Sequence, residues 1–179
     1  HVLFRRQRQM CIRDRDLDYM LIDLPPGTGD IHLSLVQSIP VGAAVVVSTP
    51  QNIALADARK GVAMFQMDSI NIPVLGIVEN MSYFTPQELP NNKYYIFGQQ
   101  GARVLAEKLE LPLLAEIPLV QSVREAADAG RPAVLQGSTS AAIAFLDFAD
   151  KVVEEMNKRN QLDATKRVEI TNTNGCSTN

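Results

Sequence analysis

The sequence predicts an α/β fold in which helices cover a parallel sheet. Short apolar stretches alternate along the chain with segments of helical periodicity, as expected for successive βαβ units. The run Gly42–Ser48 is apolar without polar alternation, which is typical of a strand buried on both faces. The 179 residues are 46% hydrophobic, close to the globular average. We therefore expect one core, with ligand loops at the carboxyl ends of the strands.

The first predicted strand is Tyr19–Ile22, which leads directly into the carboxylate of Asp23. The prolines and glycines of residues 24–29 should end that strand in a rigid loop. Asp30 is expected to cap a helix that ends before Pro40. The predicted apolar side of this helix consists of Ile31, Leu35 and Ile39.

The other predicted elements continue the alternation. They are the strand Gly42–Ser48, the helix Ile53–Met67, the strand Pro73–Val78, the helix Gln99–Leu109, the strand Leu113–Ile117 and the helix Ser140–Met156. Composition then turns polar, so a flexible tail is expected over residues 157–179. Residues 16–156 should form the folded domain.

The first fifteen residues carry five arginines and no regular hydrophobic period. A basic nucleic-acid-binding arm and a mitochondrial presequence are two interpretations. The interpretation that we favour is a non-native segment, because residues 10–15 resemble the translation of a sequencing adapter. Residues 1–15 are therefore set aside from the predicted fold.

Charge and cysteine content restrict the kind of protein further. Residues 16–179 are acidic, which argues against nucleic acid as a partner. The longest apolar run is too short to cross a bilayer, so no membrane partner is expected. Cys11 and Cys176 lie near opposite ends, which excludes a disulfide framework and favours a reducing, cytoplasmic setting.

The motif most indicative of chemistry is Asp23 with the loop that follows it. A carboxylate after a buried apolar strand matches the Walker B position of P-loop NTPases, where it holds Mg²⁺ beside nucleotide phosphates. Gly27 and Gly29 would let backbone N–H groups approach a γ-phosphate closely. The alternative is a plain turn after a strand, because turns also favour Pro, Gly and Asp.

Five ordered motifs resemble the Mrp/ApbC family of iron-sulfur cluster carrier ATPases, which belongs with the MinD/ParA-like P-loop ATPases. They are Asp23–Asp30, Ser48–Gln51, Glu79–Phe84, Ile96–Gly98 and Glu116–Leu119. The resemblance implies a MinD-like, Rossmann-like three-layer fold. It also implies an ATP-hydrolysing homodimer that binds a [4Fe-4S] cluster and passes it to apo iron-sulfur proteins.

The resemblance also implies roles for individual residues. Asp23 would be the catalytic carboxylate linked to Mg²⁺ through water, and Gly27, Thr28 and Gly29 would sense the γ-phosphate. Asn80 would bind the adenine edge, with Ile117 and Pro118 bordering the base. The alternatives are that Asn80 only caps a turn and that Pro118 only ends a strand.

Two features depart from the family pattern. The sequence contains no Gly-x-x-x-x-Gly-Lys-[Ser/Thr] loop, which the resemblance places before Asp23. We therefore expect an amino-terminally truncated domain, inactive in ATP hydrolysis on its own. The interval 85–95, where many members carry Cys-x-x-Cys, has neither cysteine nor histidine. Cys176 is the remaining candidate cluster ligand, and it supplies one thiolate where a cluster usually needs four.

Three functions stay open at this point. The first is an ATP-dependent cluster carrier. The second is a positioning or partitioning ATPase of the MinD/ParA kind, for which the carboxyl-terminal charges lack an amphipathic face. The third is a non-catalytic adaptor of the same fold. His32 is expected to be a packing or surface residue, because one imidazole does not make a metal site.

Overall fold

The computed structural model of the chain describes residues 17–86, 88–89, 91–137 and 139–162. Strands and helices alternate along them. The elements are α1 (Asp30–Ser38), β1 (Ala44–Ser48), α2 (Asn52–Phe65), β2 (Val74–Glu79), α3 (Gly101–Lys108), β3 (Leu113–Glu116), α4 (Gln121–Asp128), a 3₁₀ turn (Ala133–Leu135) and α5 (Ser140–Leu162). Within the described residues, no helix is long and apolar enough to cross a membrane.

The three strands form one parallel sheet in the order β1-β2-β3. Their register aligns Ser48 with Glu79, and Glu79 with Glu116. The carboxyl ends of all three strands therefore stop at the same level. Each connection between neighbouring strands contains a helix, as parallel pairing requires.

Helices cover both faces of the sheet. On one face, Val46 of β1 and Ile77 of β2 pack with buried residues of α2 and α3, including Val62 and Leu105. On the other face, Leu75, Val78 and Leu114 pack against α5. Burial of an aliphatic side chain of this size contributes about 1.5–3 kcal/mol relative to exposure. The predicted three-layer α/β fold is confirmed.

The strand predicted over Tyr19–Ile22 is wrong. Residues 17–25 are irregular, and the side chains of Tyr19 and Leu21 are exposed. A strand forms only where a neighbouring strand satisfies its backbone groups. In the described part of the chain, no backbone hydrogen bond joins residues 19–23 to another segment. The apolar sequence of this segment alone does not supply such a neighbour.

Helix α1 forms as predicted, but its cap and buried face differ. Gly29 occupies the cap position, and Asp30 is the first helical residue, without a capping hydrogen bond from its side chain. In the first turn its carboxylate still stabilises the helix through a favourable interaction with the positive end of the helix dipole. Ile31 is exposed, whereas Leu33 and Val36 pack against the cluster of Met64, Phe65 and Ile72.

The remaining predicted elements are confirmed with small shifts at their ends, and α4 is an element that the sequence analysis missed. Residues 157–162, predicted as flexible tail, instead extend α5. Lys158 Nζ lies 2.8 Å from Glu154 Oε1 and 2.9 Å from Glu155 Oε1. Such pairs, three and four residues apart, favour continued helix. The hydrogen bond that Lys158 donates to Glu154 raises the pKa of Lys158 to about 12, and the same bond lowers the pKa of Glu154.

Two predictions concern residues that the structure does not describe. The non-native segment over residues 1–15 and the tail beyond residue 162, which contains Cys176, both lie outside the described residues. Both stay predictions.

Candidate functional site

The loops that follow the three strands are hydrogen-bonded to one another. The Asn80 N–H donates to the Ser48 carbonyl at 2.7 Å, which joins the ends of β2 and β1. The Ile117 N–H donates to the Glu79 carbonyl at 2.8 Å, and the Ser82 N–H donates to the Ile117 carbonyl at 3.0 Å. The structure thus brings Asn80 and Ile117 together at the edge of the sheet where ligands bind in open α/β folds.

Asn80 begins a tight turn after β2. Its side-chain Oδ1 accepts a hydrogen bond from the Met81 N–H at 2.9 Å, and Met81 has a positive φ of 54°. Asn80 therefore does cap a turn, as one of its two interpretations holds. The same bond uses the oxygen of the amide, so the NH₂ group is the part of the half-buried side chain that suits a ligand acceptor.

Glu79, the last residue of β2, is a fully buried acid directly beneath this turn. Its Oε1 accepts from the Ser82 hydroxyl at 2.7 Å, and its Oε2 accepts from the Ala102 N–H in the first turn of α3, also at 2.7 Å. The sequence analysis quoted Glu79 as part of a motif but gave it no role. An acidic residue closing the apolar run Val74–Val78 was the available signal.

The start of α3 approaches the loop after β1 very closely. A Cβ atom on Gly101 would overlap the carbonyl oxygen of Pro50 and would lie 2.8 Å from Leu55 Cδ1. Ala102 beside it is fully buried and donates to Glu79. Glycine at position 101 therefore allows the helix start, the β1 loop and the β2 turn to form one packed unit.

Backbone pairing closes the loop that contains residues 85–95, the interval where many members of the resembled family carry Cys-x-x-Cys. Phe84 and Tyr94 exchange backbone hydrogen bonds of 2.8 Å in both directions. Lys93 Nζ lies 4.0 Å from the centre of the Tyr83 ring, a cation–π contact. An apolar cavity of about 350 Å³ lies beside the base of the loop. It is lined by Phe84, Ile96, Leu119, Val120, Gln121 and Arg124.

The predicted phosphate-binding segment lies apart from these loops. Leu24 packs against Met64, Phe65 and Ile72, which precede β2 and so lie toward the amino ends of the strands. Asp23 and residues 27–29 are exposed. Gly27 has a φ of 102°, and a Cβ at Gly27 or Gly29 would meet no heavy atom within 4 Å. Across the described ranges, no hydrogen bond links residues 23–29 to Asn80 or Ile117.

His32 is a packing residue, as predicted. It is 5% exposed, and its Nε2 lies 2.8 Å from the Pro25 carbonyl oxygen. A carbonyl needs a donor, so Nε2 carries the proton. Among the residues that the structure describes, no group of three or more His, Cys, Asp or Glu residues could hold a metal ion.

A parallel sheet with helices on both faces and joined loops at its carboxyl edge defines a three-layer α/β protein whose loops lie where open α/β folds bind ligands. The sequence profile of the ParA family, described as NUBPL iron-transfer P-loop NTPase, matches residues 8–153. The chain belongs to this family.

Curated relatives agree with this membership. The chain is 50% identical over 141 residues to the iron-sulfur cluster transfer protein NUBPL of Mus musculus, covering 78% of this chain and 43% of that protein. It is 49% identical over 137 residues to the iron-sulfur cluster carrier protein of Synechocystis sp., and the match covers 76% of this chain and 38% of that protein. The chain thus spans about two fifths of the length of these relatives.

Solved structures give the same fold. A nucleotide-binding protein from Archaeoglobus fulgidus in complex with ADP matches with a TM-score of 0.57 and 42% identity, over 64% of this chain and 46% of that one. The cell division ATPase MinD of Pyrococcus furiosus matches with a TM-score of 0.58 and 25% identity. This match covers 83% of this chain and 56% of that one. The MinD-like fold predicted from the sequence is confirmed.

Proposed function

We propose that this chain is part of an ATP-dependent carrier that assembles [4Fe-4S] clusters and transfers them to apo iron-sulfur proteins. The observation that carries the proposal is the hydrogen-bonded pairing of the Asn80 turn with Ile117 at the carboxyl edge of the sheet. Family membership and relatives named cluster carriers support it. Hydrolysis would act as a switch, in which loss of the γ-phosphate releases the loops that ATP orders.

At the base end of the nucleotide, Asn80 would donate its side-chain NH₂ to an adenine acceptor. Its Oδ1 is engaged by Met81, which fixes the orientation of the amide. The Ile117 side chain is 3% exposed and packs in the core with Leu75 and Val78, so the segment of Ile117 and Pro118 would border the base through its backbone. One oriented donor on the ring edge suits an acceptor nitrogen of a purine.

At the phosphate end, Asp23 would hold Mg²⁺ through water, and the residues Gly27, Thr28 and Gly29 would contact the γ-phosphate. This role requires residues 23–29 to move to the carboxyl edge of the sheet in the assembled site, because here Leu24 packs near the amino ends of the strands. The positive φ of Gly27 and the open space at both glycines suit backbone N–H groups that approach an anion. An exposed single carboxylate binds Mg²⁺ only together with phosphates and water. We therefore infer that this end also needs a P-loop, which these 179 residues lack.

The cluster is the cargo of the proposed carrier. Its thiolate ligands would come from Cys176 or from outside this chain, because the described residues contain no cysteine. We further propose a homodimer, since two subunits would pool their ligands, and a cytoplasmic location, since free thiols persist under reducing conditions.

Calorimetric titration with ATP tests the proposal. In the full-length protein, Asn80→Ala should weaken ATP binding about tenfold, the effect of one lost hydrogen bond. Asn92→Ala, in the exposed loop, is the matched control and should bind like the wild type. Equal affinity in Asn80→Ala and the wild type would contradict the proposed base site.

The 179-residue chain by itself should bind ATP more weakly than micromolar, and micromolar affinity would refute the need for a P-loop.

A further inference from the structure

The carboxylate of Glu79 is buried in a place where an apolar side chain would suffice. The preceding residues of β2, from Val74 to Val78, are apolar or glycine, and Glu79 itself has no exposed surface. Burying a carboxylate is unfavourable unless its oxygens are hydrogen-bonded. None of the ion pairs within the described ranges includes Glu79, so its burial is compensated by its two hydrogen bonds and by the positive end of the α3 dipole. Its presence therefore calls for a reason other than stability.

The two bonds connect different parts of the base site. The bond to Ser82 closes the short turn that contains Asn80 and Met81. The bond to Ala102 attaches the same carboxylate to the first turn of α3. The Glu79 carbonyl also accepts from the Ile117 N–H. One residue thus joins the Asn80 turn, the helix start and the Ile117 segment.

Met81 shows why the turn needs such support. Its φ of 54° is a left-handed conformation that a non-glycine residue rarely adopts. The turn keeps this conformation because Ser82 is held at both its hydroxyl and its backbone N–H. Without the Glu79 bond to the hydroxyl, Ser82 is held by its backbone N–H alone, and we expect the turn to relax and the direction of the Asn80 side chain to change with it.

We propose that Glu79 is a positioning residue that sets the base selectivity of the nucleotide site by holding the Asn80 NH₂ group toward N1 of the base, which is an acceptor in adenine and an N–H donor in guanine. This inference rests on the proposed function. Glu79 itself, buried beneath the turn, does not touch the nucleotide. It acts through Asn80, so its loss should alter the preference between bases rather than the affinity for phosphates.

Three variants of the full-length protein test the role of Glu79. Glu79→Gln keeps both bonds, because the amide oxygen accepts from Ala102 and the NH₂ group donates to the Ser82 hydroxyl. Glu79→Val removes both bonds and leaves an apolar side chain like those before it in β2. Ser82→Ala removes one bond with little change in packing. Ser38→Ala is the matched control, because its hydroxyl bonds only within α1.

The measurement is the ratio of the dissociation constants for GTP and ATP, with urea unfolding in parallel. We expect the wild type, Glu79→Gln and Ser38→Ala to share one ratio. In Glu79→Val and Ser82→Ala the ratio should fall about tenfold, which corresponds to one hydrogen bond.

A purely structural role would lower stability but leave the ratio unchanged, and this outcome would overturn the inference. If Glu79→Val does not fold, Ser82→Ala decides alone. A wild type that binds neither nucleotide would instead refute the proposed function, and the inference with it.

Discussion

His32 shows how one side chain orders the exposed loop before α1. The imidazole is buried, and its Nε2–H donates to the Pro25 carbonyl oxygen at 2.8 Å. His32→Ala removes this bond and the buried ring, so we expect a loss of about 2 kcal/mol in the free energy of unfolding. Urea denaturation followed by circular dichroism measures it.

Two further variants separate the hydrogen bond from the buried volume of His32. His32→Gln keeps an N–H donor of similar reach and should lose about half as much stability as His32→Ala. Gln37→Ala, on the exposed side of α1, should stay within about 0.5 kcal/mol of the wild type. If His32→Ala were as stable as Gln37→Ala, the bond to Pro25 would have no role in stability.

At the level of secondary structure elements, the contact between α3 and the β1 loop depends on a missing side chain. Gly101→Ala would push a Cβ into the carbonyl of Pro50 and toward Leu55. The contacted atom is backbone and cannot swing away, so we expect a loss of about 1–3 kcal/mol. Gly61→Ala is the matched control, because it lies inside α2 with open space around it.

The control should change in the opposite direction. Alanine favours a helix interior over glycine by about 0.5–1 kcal/mol, so Gly61→Ala should stabilise the chain. Thermal unfolding of both variants gives the comparison. A Gly101→Ala variant as stable as Gly61→Ala would mean that α3 can move away from the β1 loop without cost.

The sequence predicted most elements because their patterns are local. The apolar run at β1 and the helical period of α2 depend only on neighbouring residues. The strand over Tyr19–Ile22 failed because a strand also needs a partner, which no local pattern shows. Helix α4 was missed because its core-facing side is small, with Ala126 as its buried residue. For the site, the family resemblance implied that Asn80 and Ile117 lie close together, whereas the bond from Ala102 to Glu79 spans 23 residues and has no local signal.

At the scale of the whole molecule, the proposed carrier function depends on a supply of cluster ligands. The sequence has two cysteines, both outside the described residues. The loop over residues 83–95 is instead closed by the backbone pairing of Phe84 with Tyr94. A dimer that uses Cys176 provides two thiolates, and a stable [4Fe-4S] cluster usually takes four.

We therefore expect the chain alone to hold no stable cluster. After anaerobic reconstitution with iron and sulfide, followed by desalting, the visible charge-transfer absorption of thiolate-bound clusters should be absent. The double variant Thr85→Cys with Glu88→Cys, which creates the Cys-x-x-Cys spacing, should gain this absorption, and Cys176→Ser should match the wild type. A cluster that survives desalting in the wild type and is lost in Cys176→Ser would contradict the expectation and would identify Cys176 as a ligand. A cluster that survives in both would show that residues other than Cys176 hold it, with Cys11 as the remaining thiolate of the chain.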